Sequence, residues 1–210
     1  MAMTDRRAST ADLDAVQSAY AAWAPAYIDA FGSADKATME DRSLITTWAK
    51  RLRGPVLDAG CGPGHWSAFL HGLGLHVEGV DATPEFIAHA RRSYPEIPFR
   101  RGDLHHLDLA PGSLGGVLAW FSIIHADPTS VPELLRIFAE SLRPGGSLLL
   151  GFFAGDGLQP FDHRVVTAWA WPLPEMVSAV EGAGLTVTSR DHHPQPNGRI
   201  AAELVAHRPA

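Results

Sequence analysis

The sequence has little cysteine and little lysine, and it contains no long hydrophobic run. A single cysteine among 210 residues excludes an intramolecular disulfide and a zinc site built on paired cysteines. Lysine occurs only at positions 36 and 50, and acidic residues outnumber basic ones by 23 to 17. That balance argues against nucleic acid as a partner, because phosphates require a positive patch. No stretch approaches the ~20 apolar residues of a membrane span, and residues 1–14 lack the apolar segment of a signal peptide. We therefore expect a cytoplasmic protein with no membrane partner.

What is present indicates a folded chain that begins with helices. Apolar residues make up 46% and charged residues 19% of the sequence, as in ordinary globular proteins. The first helix is predicted over residues 12–31 from apolar residues three and four apart: Leu13, Val16, Tyr20, Trp23, Tyr27 and Phe31. Pro25 should interrupt or kink this helix. A second helix is predicted over residues 38–52, and residues 1–53 are interpreted as a helical cap belonging to the same domain as the core over 54–210.

After residue 54, short apolar runs alternate with helical patterns. This order predicts an α/β fold, a Rossmann-like, seven-stranded, mostly parallel sheet with helices on both faces. Its ligand should lie outside the carboxyl ends of the strands. Residues 144–146 are predicted as a turn and the aromatic segment 154–172 as a loop of the kind that often serves as a lid. The predicted strands cover residues 56–57, 76–81, 97–101, 116–121, 147–153, 184–191 and 199–206, and the helices 66–72, 84–92, 131–142 and 174–181.

A glycine-rich loop, D-A-G-C-G-P-G at 58–64, follows the first predicted strand. Glycine permits a sharp turn and the close approach of a ligand, so we expect a nucleotide-type cofactor there. A dinucleotide fingerprint needs a sixth-position glycine, where this chain has His65. Asp58 would also oppose a pyrophosphate at the helix N-terminus. A ligand that carries an ammonium and a sulfonium group would tolerate that acid.

The same residues carry a resemblance to a known family. V-L-D-A-G-C-G-P-G at 56–64 resembles motif I of class I S-adenosylmethionine-dependent methyltransferases, in particular the small bacterial type 11 group. Three further motifs follow in order: V-E-G-V-D-A-T ending the second strand, R-G-D-L after the third, and L-R-P-G-G-S-L-L-L at 142–150. The resemblance covers about residues 55–207. It implies S-adenosylmethionine as cofactor and methyl transfer to a small-molecule acceptor.

The resemblance also implies roles for individual residues. Gly60 and Gly62 would let the backbone contact the methionine moiety, and Asp58 would orient that loop and favour the amino group. Asp81 would accept hydrogen bonds from both ribose hydroxyls, and Asp103 would accept one from the adenine amine. The predicted cofactor-binding set is completed by Tyr20, Cys61, Trp66, Ala82, Leu104 and Phe121.

Some of these residues have a second interpretation. Trp66 is equally well explained as a core aromatic residue, and Tyr20 and Tyr27 as part of a packing face. Asp81 could instead be an acid at a helix N-terminus.

The acceptor should lie near the end of the fourth strand. His125 is the candidate general base there, because the histidine pKa lies near neutrality, although it could merely brace the loop. His163 is a second candidate base. No metal site is predicted, because the histidine pairs at 105–106 and 192–193 are adjacent in sequence. These aromatic residues either fill the core or, together with His163, form an acceptor pocket: Trp23, Tyr27, Phe31, Phe152, Phe153, Phe161, Trp169 and Trp171.

The main interpretation is a methyltransferase that acts on oxygen, nitrogen or carbon as a monomer or homodimer. Two alternatives to it remain. One is a non-catalytic module that binds S-adenosylmethionine. The other is a nicotinamide-dependent oxidoreductase, which His65 and Asp58 disfavour.

Overall fold

In a computed structural model of the chain, residues 6–210 are described, apart from the side chains of residues 6–14 and of Phe31. The contacts predicted for Leu13 and Phe31 therefore lie outside the described part. Short 3-10 turns span Ala34–Lys36 and Leu104–His106. The remaining elements, in chain order, are α1 (Arg6–Phe31), α2 (Met39–Ala49), β1 (Val56–Ala59), α3 (His65–Gly72), β2 (Val77–Asp81), α4 (Pro84–Ser93), β3 (Phe99–Arg101), β4 (Leu114–Trp120), α5 (Val131–Ser141), β5 (Leu142–Ala154), β6 (Gln159–Phe161), β7 (Ala168–Trp171), α6 (Leu173–Gly182), β8 (Thr186–Pro194) and β9 (Ile200–His207).

The sheet contains all seven predicted strands. They lie in the order β3-β2-β1-β4-β5-β9-β8, and β1 to β5 pair in parallel. β9 runs antiparallel to β5, with Leu149 opposite Val205, and β8 runs antiparallel to β9. The Rossmann-like α/β fold class is thereby confirmed.

Two further strands correct the prediction of a loop over 154–172. β6 and β7 form an antiparallel hairpin, and β7 pairs in parallel with the last residues of β5, Phe153 opposite Ala170. The pairing of β4 with β5 ends at Gly151. The hairpin therefore takes over the edge of β5 that β4 leaves unpaired, which satisfies backbone groups at the carboxyl end of the sheet.

Two breaks expected from proline are absent from the described residues. Helix α1 continues through Pro25, which is exposed, so water can hydrate the carbonyl that lacks its helical donor. Residues 144–146 belong to β5 instead of forming a separate turn. Leu142 pairs with Leu114, and the register then shifts so that Ser147 pairs with Gly116. Residues 143–146 therefore form an irregularity within β5.

The core lies on both faces of the sheet because successive strand residues point to opposite sides. Val117 and Leu148 pack with α5 and α6 on one face, and Leu118 and Leu149 pack with α2 and α3 on the other. Burial on both faces explains why the strands read as continuous apolar runs.

Helix α1 packs beside α4 through rings. Phe86 lies 5.8 Å from the Tyr20 ring and 5.1 Å from the Tyr27 ring, between centroids. This packing holds α1 beside the carboxyl ends of β1, β2 and β4. Within residues 6–210, no helix has the length and apolar character needed to span a membrane.

Candidate functional site

A cavity of about 900 Å³ opens at the carboxyl ends of β1, β2 and β4. Its walls come from α1, the glycine-rich loop, the starts of α4 and α5, and the segment after β4. The structure brings nine of the predicted site residues together on these walls: Tyr20, Gly60, Gly62, Asp81, Ala82, Asp103, Leu104, Phe121 and His125.

The glycine-rich loop is a turn that side chains would block. Gly60, Gly62 and Gly64 have φ of 73°, 54° and 88°, in the left-handed region that favours glycine. A Cβ on Gly60 would lie 2.3 Å from the Cβ of Ser122. The amides of Gly60 and Cys61 both donate to the carbonyl of Val80, at 2.8 and 3.0 Å, which ties the loop to β2.

Asp81 connects that loop to the start of α4. One carboxylate oxygen accepts from the amide of Gly62 at 2.9 Å, and the other from the amide of Thr83 at 2.7 Å. Burial raises the pKa of Asp81, and these hydrogen bonds oppose the rise. The Thr83 hydroxyl and the Ala82 amide also donate toward this carboxylate, so a ligand in the cavity would share its oxygens with these donors.

Three residues of the predicted cofactor-binding set lie behind the cavity wall. Asp58 is 2% exposed and accepts a 2.6 Å hydrogen bond from Ser67 Oγ. Burial raises the pKa of Asp58 to about 7, and the hydrogen bond from Ser67 opposes this. Trp66 packs in the apolar cluster of α2 and α3, and Cys61 in a cluster beside α4. Burial also raises the pKa of the Cys61 thiol, so it is not an activated nucleophile.

Asp103 is held by two histidines that the sequence analysis did not connect with it. Its carboxylate accepts from the amide and Nδ1 of His105, at 2.9 and 3.3 Å, and from Nδ1 of His106 at 2.8 Å. Burial raises the pKa of Asp103, but the histidine hydrogen bonds outweigh it and hold that pKa below its usual range. The group is therefore a carboxylate across the physiological range. The sequence signal for this arrangement was that both histidines lie within three residues of Asp103.

The partners of His125 define which ring nitrogen carries the proton. Nδ1 lies 2.8 Å from the carbonyl oxygen of Thr167, which can only accept. Nδ1 therefore bears the hydrogen, and Nε2 is a bare acceptor that receives the hydroxyl of Tyr20 at 2.9 Å. Burial lowers the pKa of His125, partly offset by the Thr167 contact. The ring is neutral at pH 7.

His163 lies behind His125 and not on the cavity wall. The two rings are 5.1 Å apart, and Phe153 and Phe161 contact His163 on its other sides. Burial, with a further contribution from His125, lowers the pKa of His163 to about 4. The inserted hairpin thus supplies uncharged support for the base candidate.

The aromatic residues expected to form an acceptor pocket are dispersed. Tyr27 lines the cavity, where burial raises its pKa to about 12. Phe152 and Trp171 are core residues, and Trp23 is 42% exposed. In the described part of the chain, no three histidine, cysteine or acidic residues form a group that could hold a metal ion.

Comparisons with known proteins agree with this geometry. Residues 56–146 match a family model described as a methyltransferase domain. A demethylmenaquinone methyltransferase of Beutenbergia cavernae is 32% identical over 143 residues, 66% of this chain and 58% of the relative. A trans-aconitate 2-methyltransferase of an Azoarcus species is 35% identical over 123 residues, 56% of this chain and 46% of the relative. The chain spans about half the length of the curated relatives it matches.

The fold comparison extends over nearly the whole chain. A crystal structure of the Burkholderia thailandensis 1,6-didemethyltoxoflavin-N1-methyltransferase, with 1,6-didemethyltoxoflavin and S-adenosylhomocysteine bound, superposes with a TM-score of 0.77 at 23% identity. The superposition covers 94% of this chain and 88% of the other.

Proposed function

We propose that this chain is a class I S-adenosylmethionine-dependent methyltransferase that methylates a small-molecule acceptor on oxygen or nitrogen. S-Adenosylmethionine is the cofactor of this domain class, and when bound it supplies the electrophilic methyl group. The observation that carries the proposal is the single cavity wall shared by the glycine-rich loop, Asp81, Asp103 and His125.

The cavity residues fit this cofactor in three respects. The Gly60–Gly62 backbone leaves a surface free of side chains, which suits the methionine portion. Asp81 places a carboxylate on the cavity wall, which suits hydrogen bonds from two ribose hydroxyls. Asp103 is a fixed carboxylate, which suits an adenine amine.

His125 is proposed as the general base. Its Nε2 is unprotonated and lines the cavity, because Nδ1 donates to Thr167. The Tyr20 hydroxyl occupies Nε2 in this structure, so an acceptor hydroxyl or amine must take the place of that hydroxyl. His125 would then receive the proton that the acceptor oxygen or nitrogen loses when it takes up the methyl group, whose bond to the cofactor sulfur breaks and leaves S-adenosylhomocysteine.

The charges of the cavity indicate the acceptor's own charge. None of the described residues that line it is a lysine or arginine, whereas four are acids: Asp81, Asp103, Asp127 and Glu133. A cavity lined by one sign of charge repels ligands of the same sign. We therefore propose an acceptor without a carboxylate or phosphate group.

Calorimetric titration with S-adenosylmethionine, S-adenosylhomocysteine and NADH tests the cofactor. Micromolar binding of the first two and none of NADH is expected, while binding of NADH alone would overturn the proposal. Catalysis is tested by S-adenosylhomocysteine formation with small phenols and amines, each paired with its carboxylated counterpart. Turnover of the uncharged members is expected. Cofactor binding without turnover of any acceptor would favour the non-catalytic module.

A further inference from the structure

Both carboxylate oxygens of Asp103 are engaged by the two histidines that follow it in the chain. Oδ1 accepts from the amide of His105 at 2.9 Å and from its Nδ1 at 3.3 Å, and Oδ2 accepts from Nδ1 of His106 at 2.8 Å. A carboxylate has about four acceptor positions, two on each oxygen. The histidines use three of these positions, and the fourth lies on Oδ2.

The two histidine side chains do not hold this carboxylate equally well. The 2.8 Å contact of His106 has the usual length of a hydrogen bond to a charged group, whereas the 3.3 Å contact of His105 is long. Oδ1 is also held by the backbone, because the amide of His105 donates to it at the start of the 3-10 turn Leu104–His106. The placement of Oδ2, the oxygen with the free position, therefore depends on the side chain of His106.

From this arrangement we propose that His106 is a positioning residue that aims the free acceptor position of Asp103 at the 6-amino group of the cofactor's purine and so selects adenine over a 6-oxo purine. Asp103 and both histidines line the cavity, which places the carboxylate within reach of a ligand there. The inference rests on the proposed function, since it presumes that S-adenosylmethionine occupies the cavity and that its adenine amine donates to Asp103.

The orientation of the carboxylate matters because a 6-oxo purine has a donor of its own close by. Its oxygen at position 6 can only accept, so it would face the Asp103 carboxylate as one acceptor against another. Its N1, however, carries a hydrogen one ring atom away. A carboxylate that can turn would accept from that N–H, and a carboxylate held by His106 would not. A fixed acceptor thus rejects the analogue that lacks the matching donor.

The test compares S-adenosylhomocysteine with S-inosylhomocysteine, which differ only at positions 1 and 6 of the purine. Dissociation constants for both are measured by calorimetry with the wild type, His106→Leu and His106→Asn. The wild type should prefer S-adenosylhomocysteine about ten- to a hundredfold, as for a hydrogen bond to a charged group. In His106→Leu this preference should shrink about three- to tenfold, as for one immobilised side chain set free.

His106→Asn keeps the donor without the ring. The side-chain nitrogen of asparagine is as many bonds from the backbone as Nδ1 of histidine, and it also donates. This variant should therefore keep the preference within about twofold of the wild type. The side chain of His106 is 74% exposed, so both variants should fold, and thermal melting checks this.

His89→Leu is the matched control. Nε2 of His89 likewise lies within hydrogen-bond distance of a neighbouring side chain, 3.2 Å from Ser93 Oγ, but this histidine is on α4 and is not among the residues that line the cavity. The control should show the wild-type preference.

Three results overturn the inference while leaving the proposed function intact. The first is an unchanged preference in His106→Leu, whether or not both affinities fall together. The second is a preference in His106→Asn as small as in His106→Leu. The third is a wild type that binds the two ligands equally well. A wild type that binds neither ligand would instead overturn the proposed cofactor, and the inference with it.

Discussion

Replacing Asp81 with alanine should weaken cofactor binding far more than it weakens the fold. The carboxylate accepts from the amides of Gly62 and Thr83, and we propose that both ribose hydroxyls also donate to it. Hydrogen bonds to a charged group contribute about 1.5–3 kcal/mol each. Two of them amount to at least ~3 kcal/mol, and 1.4 kcal/mol is a tenfold change in affinity. The expected loss for S-adenosylhomocysteine is therefore a hundredfold or more.

The effect on folding is smaller because two contributions oppose each other. Asp81→Ala removes two acceptors for backbone amides, but it also removes a buried carboxylate whose pKa is raised by desolvation. Asp81→Asn retains one side-chain oxygen for a backbone amide and keeps the side-chain size. It should remain folded with a small loss of stability, because its amide nitrogen faces the backbone N–H of Gly62 or Thr83. It should still lose most of the affinity, since that nitrogen cannot accept a hydrogen bond.

Calorimetry with S-adenosylhomocysteine measures both variants, and urea unfolding checks that each is folded. Asp127→Ala is the control, because Asp127 lines the same cavity and its carboxylate is engaged by the amide of Thr129 at 2.8 Å. That variant should bind within about threefold of the wild type. A folded Asp81→Ala protein with wild-type affinity would refute the assignment, and so would an equal loss in Asp127→Ala.

Three further substitutions test other parts of the site. His125→Ala should lower the methyl-transfer rate about 10²–10⁴-fold with S-adenosylhomocysteine affinity unchanged; loss of both together would show that His125 braces the loop. Burial raises the pKa of Asp58 to about 7 from 3.8, so the folded state holds this proton more tightly than the unfolded chain does. Asp58 therefore contributes stability that decreases as the pH rises from about 4 to about 7, whereas the lowered pKa of His163 acts in the opposite direction. The urea midpoint of the wild type minus that of Asp58→Asn should accordingly decrease over this range, and a constant difference would contradict the raised pKa. Gly60→Ala should bind S-adenosylhomocysteine at least tenfold more weakly, because its Cβ would meet Ser122. Gly72→Ala, with nothing within 4 Å, should bind like the wild type.

The core of the fold could be predicted because parallel strands are buried on both faces. Runs such as residues 148–153 therefore contain no polar side chain. The β6–β7 hairpin was missed for the opposite reason. Its strands are short, Pro160 lies in one of them, and the partner of β7 is the distant end of β5. No local pattern encodes that pairing.

The candidate site was partly predictable from topology. Asp81 and Asp103 follow neighbouring strands, whose carboxyl ends meet at one edge of the sheet, so their shared cavity follows from order alone. The contact of His125 with the Thr167 carbonyl was not predicted, because every residue has a backbone carbonyl and residue types do not show which one a histidine contacts.

The inserted hairpin and the N-terminal helix act on the same histidine from opposite sides. The hairpin supplies the Thr167 carbonyl that fixes the proton on Nδ1 of His125, and α1 supplies the Tyr20 hydroxyl that occupies Nε2. Burial, followed by the electrostatic effects of Tyr27 and Asp81, raises the pKa of Tyr20 well above its usual value. Tyr20 therefore remains a donor and cannot itself serve as the base. A methyl acceptor would reach Nε2 only by replacing that hydroxyl, so the position of α1 and the availability of the proposed base are linked.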